Sequence, residues 1–342
     1  MNKYNQDISN IIYHLKKREI NFFKGKNILI LGSDGFIGKY FVQFFYSLIQ
    51  NNINVKIDCV DNHISSIKLK KNLFKSRSIN FYSKDILDFK TNKRYDLIIF
   101  LAGIASPKIY KKLPLPSLEV SYLGAKKYLK KSLKDKSLFV FFSSSEVYGN
   151  PTKSNIPTKE NYYGNVNSYG PRACYDEGKR VGETLCYIFK EYYNCKIKVI
   201  RPFNVFGPGM DKNDDRVIPK FARLINKNVP ITIYNNGNQT RSFCYISDAM
   251  TGFIKVICSG KVGEIYNVGN DKEEVSMNQL ANKFQKIFTN KKIKIKKISY
   301  PNSYPSNEPQ RRCPNLSKLY KDTGYKPKTT LQNSLRNFMK YF

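Results

Sequence analysis

The run Asn27-Ile28-Leu29-Ile30-Leu31 passes straight into Gly32-Ser33-Asp34-Gly35-Phe36-Ile37-Gly38, and an amphipathic stretch from Lys39 to Ile49 follows. An apolar run of strand length, a glycine loop and a helix form the context that a dinucleotide site needs. Glycines permit the tight turn and let the backbone approach a pyrophosphate at the helix N-terminus. The candidate phosphate cradle is therefore Gly32, Gly35 and Gly38 with Phe36 and Ile37 between them. The spacing is G-x-x-G-x-x-G, not G-x-G-x-x-G. A second apolar strand, Val55 to Val60, ends in Asp61-Asn62. An acid there can accept hydrogen bonds from both ribose hydroxyls, and it would repel a 2′-phosphate. That favours NAD over NADP.

The alternation continues. Asn80-Phe81-Tyr82 reads as a third strand, with Asp85-Ile86 just beyond it near the adenine. Tyr95 to Leu101 is a fourth, and its end at Leu101-Ala102-Gly103 lies where cofactor phosphates or ribose should pass. Helical periodicity runs from about Pro116 to Leu133, and Leu138 to Phe142 is another buried strand. Strands alternating with helices predict an α/β fold: a Rossmann-type, doubly wound parallel sheet. Residues 1–25 form a helical leader, with Ile8, Ile11, Ile12 and Leu15 at helical spacing. The NAD-binding domain is expected over 26–201. Residues 202–342 are expected to be mainly a smaller C-terminal substrate-binding lobe, with some segments interleaved with the first domain.

Ligands on such sheets sit outside the carboxyl ends of the strands. The strand Leu138 to Phe142 ends there in Ser143-Ser144-Ser145-Glu146-Val147-Tyr148-Gly149. A hydroxyl at that place can orient a reacting oxygen, although serines also suit a plain turn. Tyr175 and Lys179 are four apart, which puts both on one helix face. An ammonium held close favours the phenolate and would lower a pKa that is ordinarily near 10. Tyr175 can then take a proton from an alcohol while a cofactor takes the hydride.

Lys and Arg number 59 against 26 Asp and Glu, a net charge of +33. So basic a chain invites a nucleic-acid reading. The lysines are scattered, however, and the densest run, Lys291 to Lys297, alternates with Ile like a half-exposed strand. No zinc-finger spacing or RNA-binding motif is present, and no metal site is expected. Lys and Asn are abundant throughout, so overall compositional bias is the plain explanation of the charge, and attraction of an anionic small substrate is the functional one. Seven cysteines without a C-x-x-C framework read as reduced thiols. With no secretory signal and no apolar run of transmembrane length, the expected location is cytoplasmic.

The glycine loop, the serine strand end and Y-x-x-x-K together resemble the extended short-chain dehydrogenase/reductase family, whose members act on nucleotide sugars with bound NAD. The resemblance runs from about Lys26 onward. Within the family it is most similar to the UDP-glucuronate decarboxylases. That likeness is carried by Ser145 to Pro151, Gly164 to Asn167 and, most specifically, Gly170-Pro171-Arg172-Ala173-Cys174-Tyr175-Asp176-Glu177-Gly178-Lys179-Arg180. It implies that Ser144, Tyr175 and Lys179 form the catalytic triad, that Gly32, Gly35 and Gly38 hold the pyrophosphate, and that Asp61 holds the ribose. Related 4,6-dehydratases carry Asp-Glu after the hydroxyl residue, and most 4-epimerases lack the glutamate, so Ser145-Glu146 points to the decarboxylases. Two departures stand out: Ser121 replaces the usual Asn, and Ser144 the usual Thr.

For the substrate, the resemblance implies Asn204 and Arg216 on the nucleotide side, and Ile231 to Tyr234 with Gln239-Thr240-Arg241-Ser242-Phe243 as a nucleotide-binding strand pair. Arg241 suits a diphosphate, since its fork pairs with two oxygens. Tyr234 either packs on the base or is a core tyrosine. Tyr110 and Arg312, the latter in Glu308 to Pro314, match positions at the sugar end, with Ser145 alongside. The implied reaction is oxidation of UDP-glucuronate at C4, loss of carbon dioxide from the β-keto acid, and hydride return to give UDP-xylose, or release of the 4-keto pentose. Glu146 and Arg312 position the carboxylate end or manage its proton. The alternatives are another NAD-dependent nucleotide-sugar enzyme (a 4-epimerase or 4,6-dehydratase) and a basic nucleic-acid-binding protein on the same fold. A homodimer through helices that include 116–133 and 171–193 is implied as well.

Overall fold

Each strand expected between Asn27 and Phe142 forms, and all of them lie in one sheet. The computed structural model describes residues 4–64, 69, 71–288, 293–300 and 309–342. Its strands are β1 (Asn27–Leu31), β2 (Lys56–Asp61), β3 (Ile79–Ser83), β4 (Leu97–Phe100), β5 (Leu138–Phe142), β6 (Lys196–Pro202), β7 (Val205–Phe206), β8 (Ile231–Tyr234), β9 (Thr240–Ser242), β10 (Cys244–Tyr245), β11 (Ile265–Val268), β12 (Glu274–Ser276), β13 (Ile295–Ile298) and β14 (Arg311–Arg312). The helices are α1 (Asn5–Tyr13), α2 (Lys17–Asn21), α3 (Phe36–Gln50), α4 (Pro107–Tyr110), α5 (Pro114–Glu119), α6 (Ala125–Asp135), α7 (Ala173–Tyr193), α8 (Val217–Asn226), α9 (Ile246–Ser259), α10 (Met277–Ile287), α11 (Ser317–Thr323) and α12 (Leu331–Met339).

The central sheet has seven strands in the order β11-β6-β5-β4-β1-β2-β3, with every neighbouring pair parallel. Strands buried on both faces must be apolar on both faces, and β1 shows it. Ile28 and Ile30 enter one core with α3 and α9, while Leu29 and Leu31 enter the other with α6 and α7. The strand order reverses between β1 and β4, so a crevice opens at their carboxyl ends. The doubly wound α/β architecture is thus as the sequence predicts.

The differences lie at boundaries and in the second half. Asp61 is the last residue of β2 rather than the first beyond it. The helical stretch near 116–133 is α5 and α6 joined by a π-helical turn, Val120–Gly124. A widened turn of this kind is common at functional sites. The segments around Ile231 and Arg241 do not pair with each other: β8 pairs with β13, and β9 with β12 and β14. The alternating Lys-Ile run forms β13 from Ile295, and Lys291 lies outside the described residues. β11 comes from the second half of the chain yet completes the central sheet. The leader contributes Tyr4, Ile8, Ile11 and Leu15 to the larger core. Among the described residues no helix is long and apolar enough to cross a membrane.

Candidate active site

The glycine loop is built by contact as much as by turn chemistry. Gly32 has φ +86, and a Cβ there would lie 2.7 Å from the backbone nitrogen of Ala102. β1 and β4 therefore close on each other at their carboxyl ends only because position 32 has no side chain. A Cβ on Gly38 would lie 2.2 Å from the Gly32 carbonyl oxygen. Gly35 caps α3, whose first turn holds Phe36, Ile37 and Gly38. A cavity of about 280 Å³ opens beside this loop. Gly32, Gly35, Asp61 and Asn62 line one part of it. Asp85, Ile86, Leu101 and Ala102 line another. Eight of the expected cofactor residues thus share one cavity.

Asp61 is already engaged by the main chain. Its carboxylate accepts the Asp34 N–H at 2.9 Å and the His63 N–H at 2.7 Å. Asn62 donates to Asp85 at 2.6 Å. These bonds fix the carboxylates at the cavity rim. Asp34, which the sequence did not single out, is fully buried, and its Oδ2 lies 3.0 Å from His63 Nδ1. The cavity also takes in Gly103, Ile104, Pro116, Glu119 and Val120, none of which carried a sequence signal beyond its place at a strand end or helix. The donors and glycines present suit a dinucleotide: a main-chain cradle that a Cβ would fill, and carboxylates at the ribose end.

Gly103 joins this cavity to the catalytic pair. A Cβ on it would meet Lys179 Nζ at 3.0 Å. Lys179 is buried on α7 and donates to the Phe142 carbonyl at 2.9 Å, with its Nζ 5.9 Å from the Tyr175 ring centre. Burial pulls its pKa down to about 8. Tyr110 stacks on Tyr175, with ring centres 5.6 Å apart and planes 10° from parallel. Burial pushes the Tyr175 phenol up to about 12; the Ser144 hydroxyl and, more weakly, Arg216 act the other way. This reverses the expected lowering by Lys179. The physical reason is that both groups are out of water, so desolvation disfavours the charged form of each, and the nearby Glu146 and Asp176 charges disfavour the phenolate further. Ser121 packs at the π-helical turn, where a Cβ on Gly178 would be 3.5 Å from it.

Glu146 is the centre of a charge cluster. Arg312 holds it with two contacts, at 2.7 and 2.8 Å, and Arg172 pairs with it from the start of α7. Although burial acts against ionisation, Arg312, Arg172 and Arg241 hold the Glu146 carboxyl below its ordinary value. β14 puts Arg312 opposite Arg241 of β9. Arg241 donates to the carbonyls of Thr240 and Gln310 at 2.9 and 3.3 Å. Ser144 begins the turn that carries Ser145 and Glu146, and its Oγ accepts the Glu146 N–H at 3.2 Å. Arg172 also reaches Asp176 at 3.3 Å. Neither residue had been assigned a role, although their i, i+4 spacing at a helix start was legible.

The remaining expected substrate residues form a looser set. Asn204 has φ +42 and donates to the Ser242 carbonyl at 3.0 Å. Arg216 caps the start of α8 and pairs with Asp214. Tyr234 packs against Tyr300 at 5.4 Å, accepts from Lys220 at 2.9 Å, and lies near Gln239, which donates to Tyr300.

With this geometry in view, comparison with known proteins is direct. Residues 28–269 match the NAD dependent epimerase/dehydratase family. The chain belongs to that family. It is 34% identical over 310 residues to UDP-glucuronic acid decarboxylase 3 of Arabidopsis thaliana, covering 90% of this chain and 86% of that protein. Among solved structures, a UDP-glucuronic acid 4-epimerase from Bacillus cereus in complex with UDP-glucuronic acid and NAD aligns with TM-score 0.76 and 24% identity, over 92% of this chain and 98% of that one. A dTDP-glucose 4,6-dehydratase from Streptomyces venezuelae with NAD bound aligns with TM-score 0.79 and 19% identity, over 92% of this chain and 96% of that one. At those identities the two structures establish the fold, a Rossmann-type α/β sheet. The family-level activity is NAD-dependent conversion of a nucleotide sugar.

Proposed function

We propose that the protein decarboxylates UDP-glucuronate through a 4-keto intermediate, giving UDP-xylose or the 4-keto pentose. The observation that carries this reading is the carboxylate-and-arginine cluster of Glu146, Arg172 and Arg312 at the end of β5. Bidentate arginines are the group of choice for a carboxylate, and a neutral hexose needs no such cluster. The decarboxylase relatives support the same choice.

When bound, NAD supplies reversible hydride acceptance at C4. Gly32, Gly35 and Gly38 leave room for its pyrophosphate, with Asp61, Asn62 and Asp85 at the ribose and adenine end. Tyr175 accepts the C4 hydroxyl proton in its phenolate form, which the Ser144 hydroxyl favours and which the positive charge of oxidised NAD would favour further against the burial that raises the phenol, and Lys179 holds the local backbone through Phe142. Tyr110 keeps the phenol ring in plane by stacking. The 4-keto oxygen takes hydrogen bonds from Ser144 and Tyr175, so electrons from the breaking C5–C6 bond have a place to go. Arg312 is divided between Glu146 and the incoming carboxylate; Glu146 keeps that arginine oriented until carbon dioxide leaves. Asn204, Arg216, Tyr234, Gln239 and Arg241 grip the UDP portion.

Products from UDP-glucuronate and NAD, read by NMR, test this. UDP-xylose or the 4-keto pentose is the predicted outcome; UDP-galacturonate would support the second reading, a 4-epimerase. That reading is kept because the Bacillus cereus relative that takes the same acid is a 4-epimerase. The chain also acts as a homodimer in our reading. Support comes from large apolar and aromatic residues left exposed on the expected helices, namely Leu118, Leu123 and Leu133, and Tyr187 and Tyr192 of α7. Light scattering at the mass of a single 39.7 kDa chain would refute it. The reading also places the protein in the cytoplasm.

A further inference from the structure

Asp176 has no part in the chemistry above, yet it is among the most constrained carboxyls in the molecule. It follows Tyr175 on α7 and is 6% exposed. Arg172 Nε reaches its Oδ2 at 3.3 Å, while its Oδ1 is buried with no hydrogen-bond partner among the described residues. A carboxylate that leaves one buried oxygen unsatisfied is poorly matched to carrying a charge. On the other side of the cluster, Arg312 Nε is a buried donor that is also without a partner among the described residues. One acceptor and one donor are thus left over at the two ends of the chain Asp176–Arg172–Glu146–Arg312.

The charged groups around Asp176 come from three elements besides its own helix. Glu146 faces it from the turn after β5, Arg172 from the approach to α7, and Arg312 from β14; Arg241 of β9 acts on Glu146. Three arginines therefore stand against two carboxylates. We propose that Asp176 is a positioning and specificity-setting residue: it takes up a solvent proton when a carboxylated sugar enters, so that the acid end of the ligand meets three arginines opposed by Glu146 alone. With Asp176 neutral, Arg172 is committed to Glu146, and Arg312 is released to give its unused Nε–H to the ligand carboxylate. The proposal rests on the reading of this site as one that receives a uronic acid. Burial and the nearby Glu146 charge push the Asp176 carboxyl up to about 7, so the proton is available at neutral pH. By linkage, proton uptake and carboxylate binding strengthen each other by the same factor.

The test is the ratio of affinities for UDP-glucuronate and UDP-glucose, measured calorimetrically with NAD present in a Tyr175→Phe background that blocks turnover. The two ligands share the UDP moiety, so its ionisation cancels, as does any inactive fraction of protein. Preference for the acid should rise by roughly tenfold as pH falls from 8.5 to 6. In Asp176→Asn the preference should stay at its low-pH value throughout, and Asp176→Glu should restore the pH dependence. A preference for the acid that does not change with pH would overturn the proposal while sparing the substrate reading. So would a pH dependence that survives in Asp176→Asn. Equal binding of the two sugars at every pH would overturn both.

Discussion

Tyr175 lies in a setting that raises its pKa to about 12 and lowers that of Lys179 to about 8. The pair was legible in the sequence from spacing alone; its electrostatics were not, because burial depends on what Tyr110, Phe141 and Gly103 bring from elsewhere. Tyr175→Phe preserves the ring that stacks on Tyr110 and removes only the phenol. Its turnover number should fall by roughly 10²–10⁴, with UDP affinity unchanged within error by calorimetry. Glu146 was legible as a candidate, whereas its partner Arg172 was not. An arginine within a recognised run carries no label for which of its neighbours it will bind. Arg312→Lys should lower kcat/KM for UDP-glucuronate by about 10- to 100-fold, because an ammonium cannot reproduce the two contacts to Glu146. Steady-state kinetics on the acid sugar check this.

At the scale of elements, the strands of the first half could be read from apolar runs bounded by glycines, because strands buried on both faces leave little choice of residue. The glycine loop could be read as well, but only the structure shows that Gly32 is required by the approach of β4. Gly32→Ala combines φ +86 with a clash against Ala102. It should destabilise the protein by roughly 2–4 kcal/mol and abolish the rise in melting temperature that NAD produces in the parent. Less legible was the leader. Its helical spacing was clear, but Asp7 is buried beneath Tyr40, whose hydroxyl donates to it at 2.8 Å. Burial raises the Asp7 carboxyl to about 6. A raised carboxyl stabilises the fold fully below its unfolded pKa, near 3.9, and loses that contribution as pH rises through 6. Asp7→Asn keeps an acceptor for Tyr40 without the charge. Thermal melts should therefore show it more stable than the parent by about 1–2 kcal/mol above pH 6.5 and equal to it near pH 4.

Across the whole molecule, the second half was harder to read because its short strands pair across long intervals: β14 reaches back to β9, and β11 joins the sheet of the first half. No local pattern encodes such partners. The net charge of +33 is likewise a whole-molecule property, and a field of that sign should draw in a nucleotide sugar. Raising ionic strength from about 0.02 to 0.2 M should lower kcat/KM several-fold, with kcat little changed, in initial-rate assays. The fold and family leave several nucleotide-sugar reactions within reach, and what separates them is the fate of the substrate carboxylate that the proposed reaction sets near Glu146, Arg172 and Arg312. The most direct measurement is release of labelled carbon dioxide from UDP-glucuronate carrying carbon-13 at C6, with NAD present. Stoichiometric labelled carbon dioxide, matched by a five-carbon UDP-sugar, is the predicted result. Turnover of the acid with the label retained in a six-carbon product would contradict the account.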